Sequence, residues 1–234
     1  MENPIIELQD VSLRFKTGLE IFNHVNLQIP KESFYFLTGP SGSGKSTFLR
    51  LLYRDCLPIE GNVTVGGQNI LTLKQDEIAV FRRKVGVIFQ DFRLVPHLNA
   101  IENVALPLKA QGVRQRKREQ LAFELLQWVG LERCIYSLPS MLSGGQQQRV
   151  AIARSVVAKP MVILADEPTG NVDDYVAKRL MFLFEELHRS GTTVIVATHN
   201  QYLANEFPYP QMHLHNKKII HRHPKEHVQE PPHA

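Results

Sequence analysis

Residues 39–46 read Gly39-Pro40-Ser41-Gly42-Ser43-Gly44-Lys45-Ser46, a G-x-x-x-x-G-K-S run between an apolar stretch and a segment with helical spacing. No other feature restricts the fold as tightly. Phe34-Tyr35-Phe36-Leu37 before it is short, apolar and bounded by the glycine-rich loop, as a buried parallel strand is. From Lys45 onward the apolar positions Phe48, Leu49, Leu51 and Leu52 change to a helical period. Glycines in such a turn let backbone N–H groups wrap a phosphate, and the helix N-terminus adds partial positive charge. Lys45 is then expected to reach the β- and γ-phosphates of a nucleotide, and the Ser46 hydroxyl to ligate Mg2+, with Thr47 closing the nucleotide-binding set. A plain Gly/Ser-rich turn is the alternative, and the strand–loop–helix setting argues against it. The loop implies a nucleoside triphosphate and is silent on purpose.

The rest of the chain supplies an α/β framework for that loop. Strands are expected at residues 5–8, 11–15, 21–29, 34–37, 85–89, 161–165 and 193–197. Residues 92–158 lack strand signals, and helices are expected there at 100–110, 115–129 and 145–158. The expected organisation is one domain over residues 1–223 with a helical insertion at about 92–158, then a disordered tail at 224–234. With 43% hydrophobic and 21% charged residues, 234 residues can bury a sizeable core without staples. Cys56 and Cys134 are far apart and form no CxxC pair, which fits reduced thiols rather than a metal or disulfide framework. No run approaches 18 apolar residues and no signal-peptide pattern opens the chain, so a cytosolic chain without a membrane span is expected.

Two further motifs carry chemistry. Val162-Ile163-Leu164-Ala165-Asp166-Glu167 is an apolar strand ending in two carboxylates. Adjacent strand side chains point to opposite faces, so the acids are expected to have different tasks. Asp166 suits a Mg2+ shell, and Glu167 suits a base or orienter for attacking water, a role worth ~10²–10⁴-fold. Taken alone, two solvated acids at a strand end is the simpler reading. Leu142-Ser143-Gly144-Gly145-Gln146 precedes a helix, so the Ser hydroxyl and glycine N–H groups form a second anion site at a helix N-terminus. As a lone pentapeptide it would be a helix cap; beside the other two motifs it is more.

On these residues the chain resembles the ATP-binding-cassette (ABC) ATPases along nearly its whole length. The phosphate loop, Gln90 after a strand, the 142–146 signature, Asp166-Glu167, Asn171-Val172-Asp173 and His199 all match. The resemblance implies a P-loop NTPase core of the ABC ATPase type, with an N-terminal antiparallel β-subdomain and an inserted helical subdomain. It also implies ATP and Mg2+ as ligands, and a homodimer on ATP binding in which Leu142, Ser143, Gly144, Gly145 and Gln146 close on the partner's nucleotide. By the same analogy Gln90 contacts Mg2+ and the water, His199 the γ-phosphate, and Asp173 joins the two sites. Where the family carries a tyrosine on adenine, Phe15 stands here; it keeps the π-face, and a core role for it is an equal alternative.

Within the family, residues 89–94, 165–171 with Asp173-Asp174, and 184–193 resemble the FtsE group of bacterial cell-division ATPases. That likeness implies an FtsX-like integral membrane subunit at the cytoplasmic face of the inner membrane and control of peptidoglycan hydrolases. Lipoprotein-release (LolD-like) and MacB-like ATPases share nearly the same motifs. Residues 91–98 and 101–108 are expected either to line a groove for the membrane subunit's helix or to serve as helical core. Arg114, Arg116, Lys117 and Arg118 read as a solvated helix face or a contact for anionic lipid. The net charge of +4 comes without an aromatic–basic surface pattern, so no nucleic-acid partner is expected. His213, His215, His221 and His223 alternate along closing strands and are expected at exposed positions rather than on a metal.

Overall fold

The computed structural model describes residues 3–15, 17–170, 172 and 174–222. Asn171, Asp173, His223 and the 224–234 tail lie outside the described residues. The chain opens with β1 (Ile6–Arg14), β2 (Glu20–Ile29), β3 (Phe34–Thr38), α1 (Lys45–Leu52), β4 (Glu60–Val65), β5 (Gln68–Asn69) and α2 (Gln75–Arg82). It continues through β6 (Val85–Ile88), α3 (Ala100–Ala110), α4 (Gln115–Trp128) and α5 (Gly144–Val156). It closes with β7 (Val162–Asp166), α6 (Asp174–Arg189), β8 (Thr193–Ala197), α7 (Gln201–Glu206), β9 (Gln211–His215) and β10 (Lys218–Arg222).

These strands form two sheets. The first is antiparallel, in the order β2-β1-β4-β5. The second runs β10-β9-β3-β8-β7-β6, parallel throughout except for β10. Leu37 of β3 pairs with Ala197 of β8, and Ala197 with Asp166 of β7, so three strands end level at one edge. The carboxyl edge of an open parallel sheet is where such folds bind ligands.

Between the sheets lies α1, whose Phe48, Leu49, Leu51 and Leu52 are buried with β1 and β2 residues on one side and Leu37, Leu164 and Ile195 on the other. Phe22 of β2 meets Phe48 edge-on, ring centroids 6.2 Å apart. The helix that begins the phosphate loop's far side is thereby clamped from both faces. A second core, with Phe184 and Met181 of α6, covers the sheet's other face, and a third joins α3, α4 and α5.

Several expectations change in detail. Residues 5–8 and 11–15 are one strand, because a bulge between Leu8 and Val11, with Asp10 at φ 54°, lets the inward residues skip one position. Ile6, Leu8, Val11 and Leu13 therefore all face the core. The signature helix begins at Gly144 rather than Gly145, since Ser143 is its cap. β4, β5, α2, α6 and α7 have no counterpart among the sequence expectations. His213 is a correction: it is 7% exposed, with Nδ1 3.1 Å from Thr38 Oγ1, because β9 lies inside the sheet between β3 and β10. His215 and His221 are exposed.

Phe48→Ala removes a fully buried ring from the layer that backs the loop. Urea unfolding is expected to show a loss of about 3–5 kcal/mol at unchanged slope.

A candidate nucleotide site at the ends of the parallel strands

The loop between β3 and α1 needs its glycines. Gly39, Gly42 and Gly44 have φ of 149°, 76° and 105°. A Cβ on Gly39 would lie 2.7 Å from the Leu214 carbonyl and 2.8 Å from Ser43 Oγ, so no larger residue fits the bend. Lys45 folds back under the loop. Its Nζ donates to the carbonyls of Gly39 (3.0 Å) and Pro40 (3.2 Å), and the side chain is 7% exposed. Among the described residues, buried Ser43 Oγ has no hydrogen-bond partner, an unsatisfied polar atom within the loop.

Across the sheet edge stand the two acids. Ser46 Oγ donates to Asp166 Oδ1 at 3.1 Å. Glu167 has left-handed backbone, φ 46°, fixed by its N–H donating to Ala197 O (2.9 Å) and its own carbonyl accepting from Gly170 N–H (3.1 Å). That turn swings its carboxylate back toward the loop. Oε1 lies 3.8 Å from Lys45 Nζ, while Oε2 lies 2.9 Å from His199 Nδ1, an ion-pair approach whose direction is too poor for a hydrogen bond. His199 follows β8, anchored by Thr198 N–H donating to Leu37 O (3.0 Å), and is largely exposed.

These groups face one cavity of about 380 Å3, lined by Ser41, Gly42, Gly44, Lys45, Ser46, Thr47, Gln90, Glu167 and His199. Phe15, Leu19 and Ile21 form its apolar wall. Phe15 also packs against the main core, so it is at once part of the cavity wall and part of the core's edge. A second hollow joins Gln90 to Asp166, with Phe89, Asp91 and Arg93. Leu142, Ser143, Gly144, Gly145 and Gln146 line neither. Ser143 caps α5: its Oγ accepts from Gln146 N–H (3.3 Å) while Gln146 Oε1 accepts from Ser143 N–H (2.8 Å). Gln146 also reaches Cys134 Sγ at 3.5 Å.

Leu19 and Ile21 were absent from the expected site. Nothing in their alternation distinguishes a cavity wall from core. Leu214 of β9, pressed against Gly39 and Gly44, was also unforeseen; contact between residues 175 and 170 positions apart leaves no local signal.

The donor set fits a hard divalent cation. Ser46 Oγ and Asp166 Oδ1 are adjacent oxygens, the type that Mg2+ prefers. Burial pushes the Asp166 carboxyl above the ordinary carboxylate range, opposed by the Ser46 hydrogen bond and reinforced by the Glu167 charge. A carboxyl raised in this way costs stability above its unfolded pKa, the cost growing until the folded pKa is passed and constant beyond it. Asp166→Asn is therefore expected to raise the melting temperature of protein free of nucleotide and divalent cation at pH 7. Calorimetry over pH should show the gain fading as pH falls through the carboxylate range.

Residues 22–170 match the family model described as ABC transporter. The chain is 38% identical over 216 residues to the cell division ATP-binding protein FtsE of Streptococcus pneumoniae, covering 92% of this chain and 94% of that one. It is 41% identical over 211 residues to the macrolide export ATP-binding/permease protein MacB of Vibrio parahaemolyticus, covering 88% of this chain and 32% of MacB. The ATP-binding cassette MJ0796, solved as a dimer in a post-hydrolysis state bound to ADP and Pi, matches with a TM-score of 0.87 at 36% identity, covering 94% of this chain and 99% of that one. The chain belongs to the ABC transporter family, and within it is an ATPase subunit similar to FtsE.

Proposed function

We propose that two copies of this chain close on two ATP molecules and that the closure drives an FtsX-like integral membrane subunit at the cytoplasmic face of the bacterial inner membrane. Through that subunit the motion controls peptidoglycan hydrolases in cell division. One observation carries the dimeric reading: the cavity gathers the phosphate loop, Gln90, Glu167 and His199, while Ser143 and its glycines lie outside it. A helix N-terminus capped by Ser143 and opened by two glycines suits the γ-phosphate of a nucleotide held by a second copy. The dimeric state of the MJ0796 cassette supports the same arrangement.

In this mechanism the loop N–H groups, Ser43 and Lys45 hold the phosphates, and Phe15 stacks on adenine. Ser46, Asp166 and Gln90 would hold Mg2+, which when bound neutralises charge on the phosphate oxygens. Glu167 orients the attacking water and accepts its proton as the bond to the γ-phosphorus forms and the bond to ADP breaks. His199, 2.9 Å from Glu167, keeps that carboxylate aimed and contacts the γ-phosphate. Asp173 completes the reading as the link between the two sites.

The membrane side of the proposal rests on α3 and α4. Leu98, Ile101, Leu106, Phe123 and Tyr136 line a groove of about 580 Å3, with Arg116 and Arg118 at its rim. Among the described residues, no helix is long and apolar enough to cross a membrane. We read the groove as the seat of the membrane subunit's cytoplasmic helix. Arg114 caps α4 and Arg116, Lys117 and Arg118 follow with no acid in the first turn, a placement that opposes the helix dipole. Arg118 Nη1 donates to Val113 O (3.3 Å), while Arg114, Arg116 and Lys117 add charge that the helix dipole does not reward, which supports an anionic lipid surface as their partner. The 41% identity to MacB supports a second reading, an ATPase of a MacB-like or lipoprotein-release transporter.

Capture from solubilised membranes separates the two: a four-span partner with a large extracytoplasmic loop supports the division role, and a lipoprotein carrier the second. Glu167→Gln should still bind ATP while turnover falls ~10²–10⁴-fold. Lys45→Ala and Ser143→Arg should each be inactive alone, and mixing them should restore turnover, because one site of the mixed dimer carries both lesions and the other neither. Absence of recovery would contradict independent composite sites.

A further inference from the structure

The loop bearing Gln90 leaves β6 through strained backbone. Phe92 and Arg93 are consecutive left-handed residues, with φ of 59° and 47°, a conformation that neither side chain favours. Phe92 N–H donates to Phe89 O (3.1 Å) and Arg93 N–H to Asp91 O (2.6 Å), so the chain doubles back directly after Gln90. Such backbone persists only where its surroundings hold it.

The holder comes from the signature helix. Arg154, in the last turn of α5, donates from Nη2 to Phe92 O (2.7 Å) and from Nη1 to Arg93 O (2.6 Å). Among the described residues it has no carboxylate partner, and burial holds its guanidinium below the ordinary pKa. A planar fork fits two successive carbonyls in a way that an ammonium cannot. Farther along the same loop, the Asn103 amide grips the backbone of Val95 and Leu98, while the carbonyls of Phe92 and Arg93, nearer Gln90, are held by Arg154. The loop's own side chains add a guanidinium of Arg93 over the Phe89 ring, 4.0 Å to the centroid, on the exposed side.

We propose that Arg154 is a positioning residue for hydrolysis: by holding the Phe92 and Arg93 carbonyls it keeps the turn that aims Gln90 into the cavity. This rests on the role read for Gln90 above. It also makes α5 a rigid tie between two half-sites. Ser143 at its first turn serves the nucleotide of the second copy, and Arg154 at its last turn sets the loop that serves the nucleotide of its own chain. A displacement of the signature helix is thereby felt at Gln90.

The test compares Arg154→Lys, Arg154→Ala, Gln90→Ala and the Arg154→Ala/Gln90→Ala pair for kcat, KM for ATP, the Mg2+ concentration giving half-maximal turnover, and melting temperature. Arg154→Ala is expected to lower kcat ~10- to 100-fold, the scale of a small misplacement, with KM for ATP within about twofold. Its Mg2+ midpoint should rise, as in Gln90→Ala. Added to Gln90→Ala it should lower kcat little further, since both losses pass through one group. Arg154→Lys should melt near the wild type and fall between wild type and Arg154→Ala in turnover, which excludes unfolding as the cause. If Gln90→Ala is impaired and the two losses multiply, or if Arg154→Lys turns over normally, the Arg154 proposal is overturned while the reading of Gln90 stands. If Gln90→Ala turns over at the wild-type rate, that reading falls first.

Discussion

One buried ammonium holds this site together. Lys45 Nζ donates to two carbonyls of its own loop and stands 3.8 Å from Glu167 at the far side of the sheet edge. A cation so enclosed must be matched by oxygens, and its neighbours supply them from two strands that are not adjacent. β8 lies between β3 and β7, and its end provides the spacing: Ala197 O receives Glu167 N–H, while Leu37 O receives Thr198 N–H. The loop, the acid pair and His199 are thus placed by backbone hydrogen bonds, which reorganise little when charge develops nearby.

The helical part reaches the same edge by different means. Helices α3, α4 and α5 share a core of their own, while Ile152 and Val156 of α5 also pack with Ile88 and Ile163 of the sheet, and polar contacts add a link to the Gln90 loop. Packing and hydrogen bonds therefore both join α5 to the sheet, and the Arg154 bonds extend that join to the Gln90 loop.

Much of this was legible in the residues, and for a physical reason. The 39–46 loop, the acid-ended strand and the Ser143 cap each solve a local problem, phosphate wrapping, strand termination or helix capping, within a few positions. Helix α3 and strand β8 coincide with their expected ranges because their periodicity is clean. What was not legible depends on distant contact. The β1 bulge is needed only because β2 and β4 pair on either side of it. His213 looks like one of an exposed alternating set until β9 is found between β3 and β10. Helix α6 carries Ala177, Leu180, Met181 and Phe184 at helical spacing, so its absence from the expected elements reflects an unread period rather than a hidden one. Arg154 reads as an ordinary helix-end cation, and its two carbonyl partners are 61 and 62 positions away.

The central claim is that one chain holds half of each site. Measuring the solution mass of the Glu167→Gln protein by light scattering, with saturating ATP and Mg2+, tests it directly. The predicted result is a shift from the 26.7 kDa monomer to about twice that mass with ATP and no shift with ADP. A protein that remains at 26.7 kDa with ATP demonstrably bound would contradict it.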